Sequence, residues 1–140
     1  MDKYFEEIIK LSKKSLKYGD VPIGAIIVKD GVIIGKGYNT REKRESVLGH
    51  AEINAINMAS KKLNNWNLNG SDLYVTLKPC SMCMKVIKQS RITNVYYLLD
   101  KLSTKHEFDQ TIIKKYENDE MSKIYLEILQ SFFKNLREKK

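Results

Sequence analysis

The chain has 140 residues, of which 42% are hydrophobic, which is enough to bury one core, so we expect a single domain over residues 1–140. The 25 lysine and arginine residues outnumber 17 acidic residues and give a net charge of +8, which favours an anionic partner such as nucleic acid. A basic surface of an ordinary soluble protein explains the charge equally well. No signal-like N-terminus and no stretch approaching ~18 apolar residues is found, which predicts a cytoplasmic protein with no membrane partner.

The first third of the chain predicts a helix followed by a β-hairpin. Five positions recur at helical spacing after a possible Asp2 cap, namely Phe5, Ile8, Ile9, Ser12 and Leu16. Gly19 and Pro22 then end the pattern. Two β-rich runs, Ile23–Val28 and Val32–Tyr38, are joined by Asp30-Gly31, whose turn chemistry suits a tight hairpin. The first two strands are therefore predicted to be antiparallel neighbours.

The middle of the chain predicts a helix and then a strand–helix–strand unit. His50–Leu63 carries apolar residues among good helix formers and follows the second strand through a polar loop. Leu73–Leu77 reads as a strand, Ser81–Gln89 as a short helix, and Ile92–Leu99 as a further strand. Because a strand, a helix and a strand in succession form a crossover, the last two strands are predicted to be parallel.

The final third predicts one short strand and one long helix. Ile112–Tyr116 is a candidate fifth strand, and Met121–Leu136 has the spacing of a strongly amphipathic helix. The complete pattern predicts an α/β fold in which a mixed five-stranded sheet is covered by helices on both faces.

The two cysteines of the chain stand three residues apart in Pro79-Cys80-Ser81-Met82-Cys83, where a strand ends and a helix begins. Residues at i and i+3 share one side of a helix, and the helix N-terminus lowers the pKa of a thiol placed there. This arrangement suits zinc. A lone pair of this spacing is also found in thioredoxin-like redox sites and in structural zinc sites, so it does not by itself choose among them.

Gly49-His50-Ala51-Glu52 supplies a third candidate ligand, His50, and a carboxylate beside it, again where a loop meets a helix. Three protein ligands leave the fourth tetrahedral position of zinc open for water, which is typical of a catalytic site. Zinc acidifies such water toward neutral pH. Residues two apart on a helix point about 200° away from each other, so His50 or Glu52 must lie at the helix boundary.

The pattern H-x-E followed by P-C-x-x-C is the signature of the zinc-dependent cytidine deaminase superfamily, which the chain resembles. Further segments are similar to the bacterial tRNA adenosine deaminases, in order from about residue 4 to residue 137. They are Asp20-Val21-Pro22-Ile23-Gly24-Ala25, Gly37-Tyr38-Asn39, His50-Ala51-Glu52-Ile53, Asn65-Trp66-Asn67-Leu68, Leu73-Tyr74-Val75-Thr76-Leu77 and Phe132-Phe133-Lys134-Asn135-Leu136-Arg137.

The resemblance implies a fold, a reaction and a set of site residues. The fold is the three-layer α/β/α architecture of the cytidine deaminases, and the reaction converts adenosine to inosine at the wobble position of a tRNA anticodon stem-loop, carried out by a homodimer. His50, Cys80 and Cys83 would hold one zinc ion per chain. Glu52 would act as the acid and base, and Asn39, whose amide both donates and accepts, would contact the purine.

Two positions depart from this pattern. Lys78 stands where a glutamate is expected before the Pro-Cys pair, which removes a possible hydrogen-bond acceptor near the metal. The loop beginning at Asp100 lacks the glycine that RNA-acting relatives usually carry.

Three alternatives stay open beside the RNA deaminase. A deaminase of a free base or nucleotide, of guanine or cytosine type, would use the same chemistry. A subunit that binds zinc without catalysis would not need Glu52. A thioredoxin-like redox protein is disfavoured, because Pro22 and Pro79 are the only prolines and neither follows the cysteine pair.

Overall fold

The computed structural model describes residues 2–100, 112 and 114–138. Contacts between Cα atoms divide the chain into two compact units, residues 1–104 and residues 105–140, and each is described by itself. The interpretation of residues 1–140 as one domain stays a prediction. No helix among the described residues is long and apolar enough to cross a membrane.

The first unit is built on a mixed sheet of four strands in the order β2-β1-β3-β4. The strands are β1 (Gly24–Lys29), β2 (Val32–Tyr38), β3 (Ser71–Leu77) and β4 (Asn94–Leu99). β1 runs antiparallel to both β2 and β3, whereas β3 and β4 are parallel. The predicted hairpin between β1 and β2 is confirmed, and its turn residues Asp30 and Gly31 both have positive φ angles, 52° and 75°.

Helices flank both faces of this sheet. The helices are α1 (Asp2–Ser15), continued by a 3-10 turn (Leu16–Tyr18), then α2 (Arg41–Arg44), α3 (Ala51–Leu63) and α4 (Ser81–Gln89) in the first unit, and α5 (Asp119–Glu138) in the second. α1 packs with Ile26 on one face of β1, whereas α3 and α4 pack with Ile27 on the other. The predicted helices and strands are confirmed to within two residues at most ends, and α2 is an added single turn inside the predicted polar loop.

The prediction of a fifth strand over Ile112–Tyr116 was wrong for the residues of this run that the structure describes. Residues 111 and 113 lie outside the described part of the chain, and residues 112 and 114–116 belong to no strand. Ile112 and Tyr116 are both more than three-quarters exposed. The run has too few apolar residues around Lys114-Lys115 to bury one face of a strand, so its local pattern cannot secure a place in a sheet.

Glycines in β2 allow α3 to approach the sheet closely. A Cβ atom on Gly37 would collide with the carbonyl oxygen of Ala51, and one on Gly35 would collide with that of Ala55. The facing residues of α3 are alanines with no exposed surface. The N-terminal end of α3 is therefore held against β2 by backbone contact and not by large side chains.

We expect Gly37→Ala to destabilise the fold by about 1–3 kcal/mol, because the added methyl group meets backbone atoms that have little freedom to move. The free energy of unfolding in urea measures this effect. Val32→Ala is the control on the same strand, since Val32 is 54% exposed and its truncation should cost no more than about 0.5 kcal/mol. Equal losses for the two variants would contradict the close approach of α3.

Candidate metal centre and active site

The N-terminal ends of α3 and α4 bring the predicted ligands together. His50 precedes α3 and has an extended backbone, with φ −87° and ψ 143°, and Cys80 precedes α4 in the same way, with φ −69° and ψ 170°. Cys83 lies in the first turn of α4 and is completely buried. α3 and α4 pack side by side on one face of the sheet. Their first turns therefore present one histidine and two cysteines to a common point.

The spacing of the donor atoms fits a metal ion. The Nδ1 atom of His50 lies 3.5 Å from the sulfur of Cys83 and 3.9 Å from the sulfur of Cys80. All three donor atoms lie within 4.8 Å of one another. Tetrahedral zinc, with its usual bond lengths to sulfur and nitrogen, separates two such donors by about 3.6 Å. His50, Cys80 and Cys83 thus form a group of the zinc type, with Nδ1 as the donor atom of the imidazole.

Glu52 lies in the first turn of α3, beside this group. Only 3% of its surface is exposed, the Cys83 side chain lies within hydrogen-bonding reach of its carboxyl group, and among the described residues none bonds to its Oε1 atom. Because His50 is extended and stands before the helix, the opposition of side chains expected for two residues on one helix does not arise. Burial raises the pKa of the Glu52 carboxyl group, which favours its protonated form.

The buried cysteine does not follow the expectation that a helix N-terminus lowers thiol pKa values. Burial raises the pKa of the Cys83 thiol well above its ordinary value, and the nearby charges of Glu52 and Cys80 raise it further. Loss of solvation disfavours the charged thiolate at this position. The pKa of His50 is lowered, first by burial and then by the charge of Arg41, which favours the neutral imidazole that metals require.

Asn39 follows β2 and lies beside the start of α3. Its Oδ1 atom accepts a hydrogen bond of 2.9 Å from the backbone N–H of Ala51, and the residue is 4% exposed. This bond satisfies one of the unpaired N–H groups at the start of α3. Among the described groups, none bonds to the amide nitrogen of Asn39. The side chain therefore keeps its amide nitrogen as a donor for a ligand, while one of the two lone pairs of Oδ1 is used by α3.

Two residues that the sequence analysis did not single out hold the loop between β2 and α3. Asn54 donates to the carbonyl oxygen of Tyr38 and to the hydroxyl of Thr40, each at 2.9 Å. The Oδ1 atom of Asp20 accepts a hydrogen bond of 3.0 Å from the backbone N–H of Glu42. The position of Asn54, four residues after His50 and thus one turn along α3, is the sequence signal that could have indicated this role.

The two departures in sequence have different outcomes. Lys78 is exposed, and its Nζ lies 5.9 Å from the ring centroid of Tyr97 in β4, so its charge is directed to an aromatic face. Nothing beyond Asp100 in the glycine-free loop can be compared, since residues 101–111 lie outside the described part of the chain.

The known proteins to which this chain is similar are deaminases. A family model described as MafB19-like deaminase matches residues 1–137. The tRNA-specific adenosine deaminase of Aquifex aeolicus (strain VF5) is 38% identical over 147 residues, covering 96% of this chain and 95% of that protein. That of Streptococcus pyogenes serotype M18 (strain MGAS8232) is 45% identical over 94 residues, which cover 67% of this chain. The matched part spans only 59% of that streptococcal protein's length.

Solved structures agree with the fold. A structure from studies of A-to-I editing by tRNA:A34 deaminases has a TM-score of 0.70 and 37% identity, covering 72% of this chain and 73% of its own. The guanine deaminase of Bacillus subtilis has a TM-score of 0.68 and 33% identity, covering 71% and 64%. With the His50, Cys80 and Cys83 group in place, the chain belongs to the MafB19-like deaminase family, within the cytidine/deoxycytidylate deaminase superfamily.

Proposed function

We propose that this chain is a zinc-dependent hydrolase that converts adenosine to inosine at the wobble position of tRNA. The observation that carries the proposal is the similarity to the Aquifex aeolicus tRNA-specific adenosine deaminase over nearly the whole of both chains. The geometry of the site supports hydrolysis, since a group of three donors stands beside a buried carboxylate that has an unpartnered oxygen atom.

His50, Cys80 and Cys83 would hold one zinc ion per chain, with donor atoms spaced as tetrahedral zinc requires. Zinc bound there would supply hydrolytic chemistry by acidifying water near neutral pH. Two thiolates and a neutral imidazole would balance the charge of the ion, so the site would be neutral when loaded.

Glu52 would move the protons of the reaction. It would take one proton from the attacking water and pass it to the ring nitrogen next to the reacting carbon. It would then take the second proton from the oxygen now bonded to that carbon and deliver it to the amino group, which leaves as ammonia when the carbon–nitrogen bond breaks. Burial raises the pKa of Glu52 toward neutral pH. A pKa near the working pH suits a group that must both accept and donate a proton. The unpartnered Oε1 atom is the group that would exchange the proton.

Asn39 would orient the base through its amide nitrogen. Because its Oδ1 atom accepts a hydrogen bond from the N–H of Ala51, the amide is held in one orientation that leaves its nitrogen to donate to the purine. A ring nitrogen acceptor on the base is the partner that this donor fits. The same hydrogen bond would couple purine binding to the position of α3, which begins directly after His50.

A deaminase of a free base is the second candidate, and one observation favours it. The guanine deaminase of Bacillus subtilis resembles this chain nearly as closely in fold as the tRNA deaminase structure does, with TM-scores of 0.68 and 0.70. The fold is therefore shared by enzymes acting on different purines, and only the substrate test separates the two candidates.

Incubation with an anticodon stem-loop and, separately, with free guanine, cytosine, cytidine and adenosine should distinguish the two candidates. We expect inosine to form only in the stem-loop, and its binding to weaken steeply as salt rises, because phosphate contacts release counterions. Released ammonia and nucleoside composition are the readouts. Fast turnover of a free base with an unchanged stem-loop would support the second candidate and exclude the first. The homodimer and the cytoplasmic location stay predictions.

A further inference from the structure

A basic surface surrounds the single tryptophan, at the ends of α3 and α4 that are opposite to the metal-ligand group. Lys61 lies near the C-terminal end of α3 and Trp66 just beyond it, whereas Lys88 and Arg91 lie at and beyond the C-terminal end of α4. His50 and Cys80 stand at the other ends of these helices. The surface lies about 20 Å from His50 along α3, and Lys88 lies about 7 Å from Cys83 along α4, so the surface is separate from the site.

The four side chains form one continuous surface, which we call the Trp66 patch. Trp66 is 63% exposed and, with Lys61, lines a shallow depression of about 410 Å³. Lys88 and Arg91 line a second depression of about 530 Å³. The guanidinium of Arg91 lies 5.8 Å from the ring of Trp66 and joins the two. The same guanidinium donates to the carbonyl oxygens of Lys88 and Gln89, so its position is fixed.

Among the described residues, no acidic neighbour is paired with the charges of the patch. From Ile53 to Leu99 the chain contains six lysine or arginine residues and a single acidic residue, Asp72. Within the described ranges, ion pairs join Lys36 to Glu7 and Lys115 to Glu117, and none includes a residue of the Trp66 patch. Lysines at helix C-termini are favourable for the helices themselves, but this does not account for an exposed tryptophan beneath an arginine.

Cations placed around an exposed aromatic ring fit RNA. Phosphates bind lysine and arginine through charge, and an unpaired base stacks on an aromatic face irrespective of its identity. Polar amides that can bond to sugar or base edges line the two depressions: Asn57, Asn64, Asn65, Asn67 and Asn69.

We propose that the Trp66 patch is a second RNA-contact surface, which holds a part of the tRNA substrate outside the loop that is deaminated. The inference rests on the proposed function, because it assigns this surface to the same substrate. The patch would bind the RNA backbone through its cations and an unpaired base through Trp66. It would raise affinity for a long RNA without taking part in the chemistry.

The test compares full-length tRNA with an isolated anticodon-loop oligonucleotide, using Lys61→Gln combined with Lys88→Gln, and separately Trp66→Ala. We expect each to raise KM for tRNA by about tenfold with kcat unchanged, and the double substitution to lower the salt slope of binding by about two. KM for the short oligonucleotide should change much less, since it lacks the parts of the tRNA that the patch is proposed to hold. Lys10→Gln combined with Lys13→Gln on α1 is the matched control, removing the same charge from exposed positions.

The possible outcomes separate a failure of the Trp66 patch from a failure of the proposed function. If tRNA is deaminated and the patch variants behave as the α1 control does, the patch is not an RNA surface, and the proposed function stands. If Trp66→Ala instead changes the sedimentation of the chain without changing RNA binding, the patch is a contact between copies, and the inference is wrong. If the wild type deaminates no RNA, the proposed function itself fails and the inference falls with it.

Discussion

Glu52→Gln should lower the turnover of an adenosine-containing stem-loop by about 10²- to 10⁴-fold, while zinc stays bound. Glutamine has nearly the shape of glutamate and can occupy the same buried position, since Glu52 is only 3% exposed. It cannot carry a proton from water to the base or to ammonia. The loss should therefore be found in kcat, with little change in KM.

The stability of this variant gives a second readout. A buried carboxyl group with an unpartnered oxygen atom costs free energy, so removing its charge should leave the melting temperature unchanged or raise it. Glu42→Gln is the matched control, since Glu42 is exposed on α2 and should have no effect on turnover. Near-native activity of Glu52→Gln, with zinc content and folding intact, would mean that a different group moves the protons.

Cys83→Ser should abolish stable zinc binding and, with it, detectable deamination. The wild type should carry one zinc ion per chain, whereas the variant loses one of the three donors, Cys83 Sγ, which lies 3.5 Å from the Nδ1 atom of His50. We expect zinc affinity to fall by more than about 10²-fold. Loss of a residue that only hydrogen-bonds to a metal ligand costs up to about that much, and loss of a ligand should cost more. Elemental analysis and competition with a chelator measure both quantities.

Metal removal supplies the control for this variant. Wild-type protein stripped by a chelator should regain activity when zinc is returned, and Cys83→Ser should not. Because burial raises the pKa of the Cys83 thiol, zinc must displace its proton, so zinc affinity should weaken as pH falls. Full zinc content in Cys83→Ser, or no zinc in the purified wild type, would contradict the assignment of the metal site.

Local sequence was sufficient for most of the secondary structure and for the choice of candidate donor residues. Apolar periodicity and turn residues act over a few positions, so the hairpin at Asp30-Gly31 and the helix containing Ile53 could be predicted without knowing what they pack against. The types of donor are also local information, since His50, Cys80 and Cys83 offer one imidazole and two sulfurs whatever the fold.

Only the tertiary structure decided how these groups meet and which of their atoms remain available. His50 and Cys80 are 30 residues apart and meet because two helices begin at neighbouring places on one face of the sheet. Asn39 accepts a hydrogen bond from Ala51, which orients its amide, and Cys83 retains its proton more strongly than its place at a helix N-terminus suggests. Hydrogen-bond saturation and loss of solvation depend on contacts between distant segments, and no local pattern in a sequence records them.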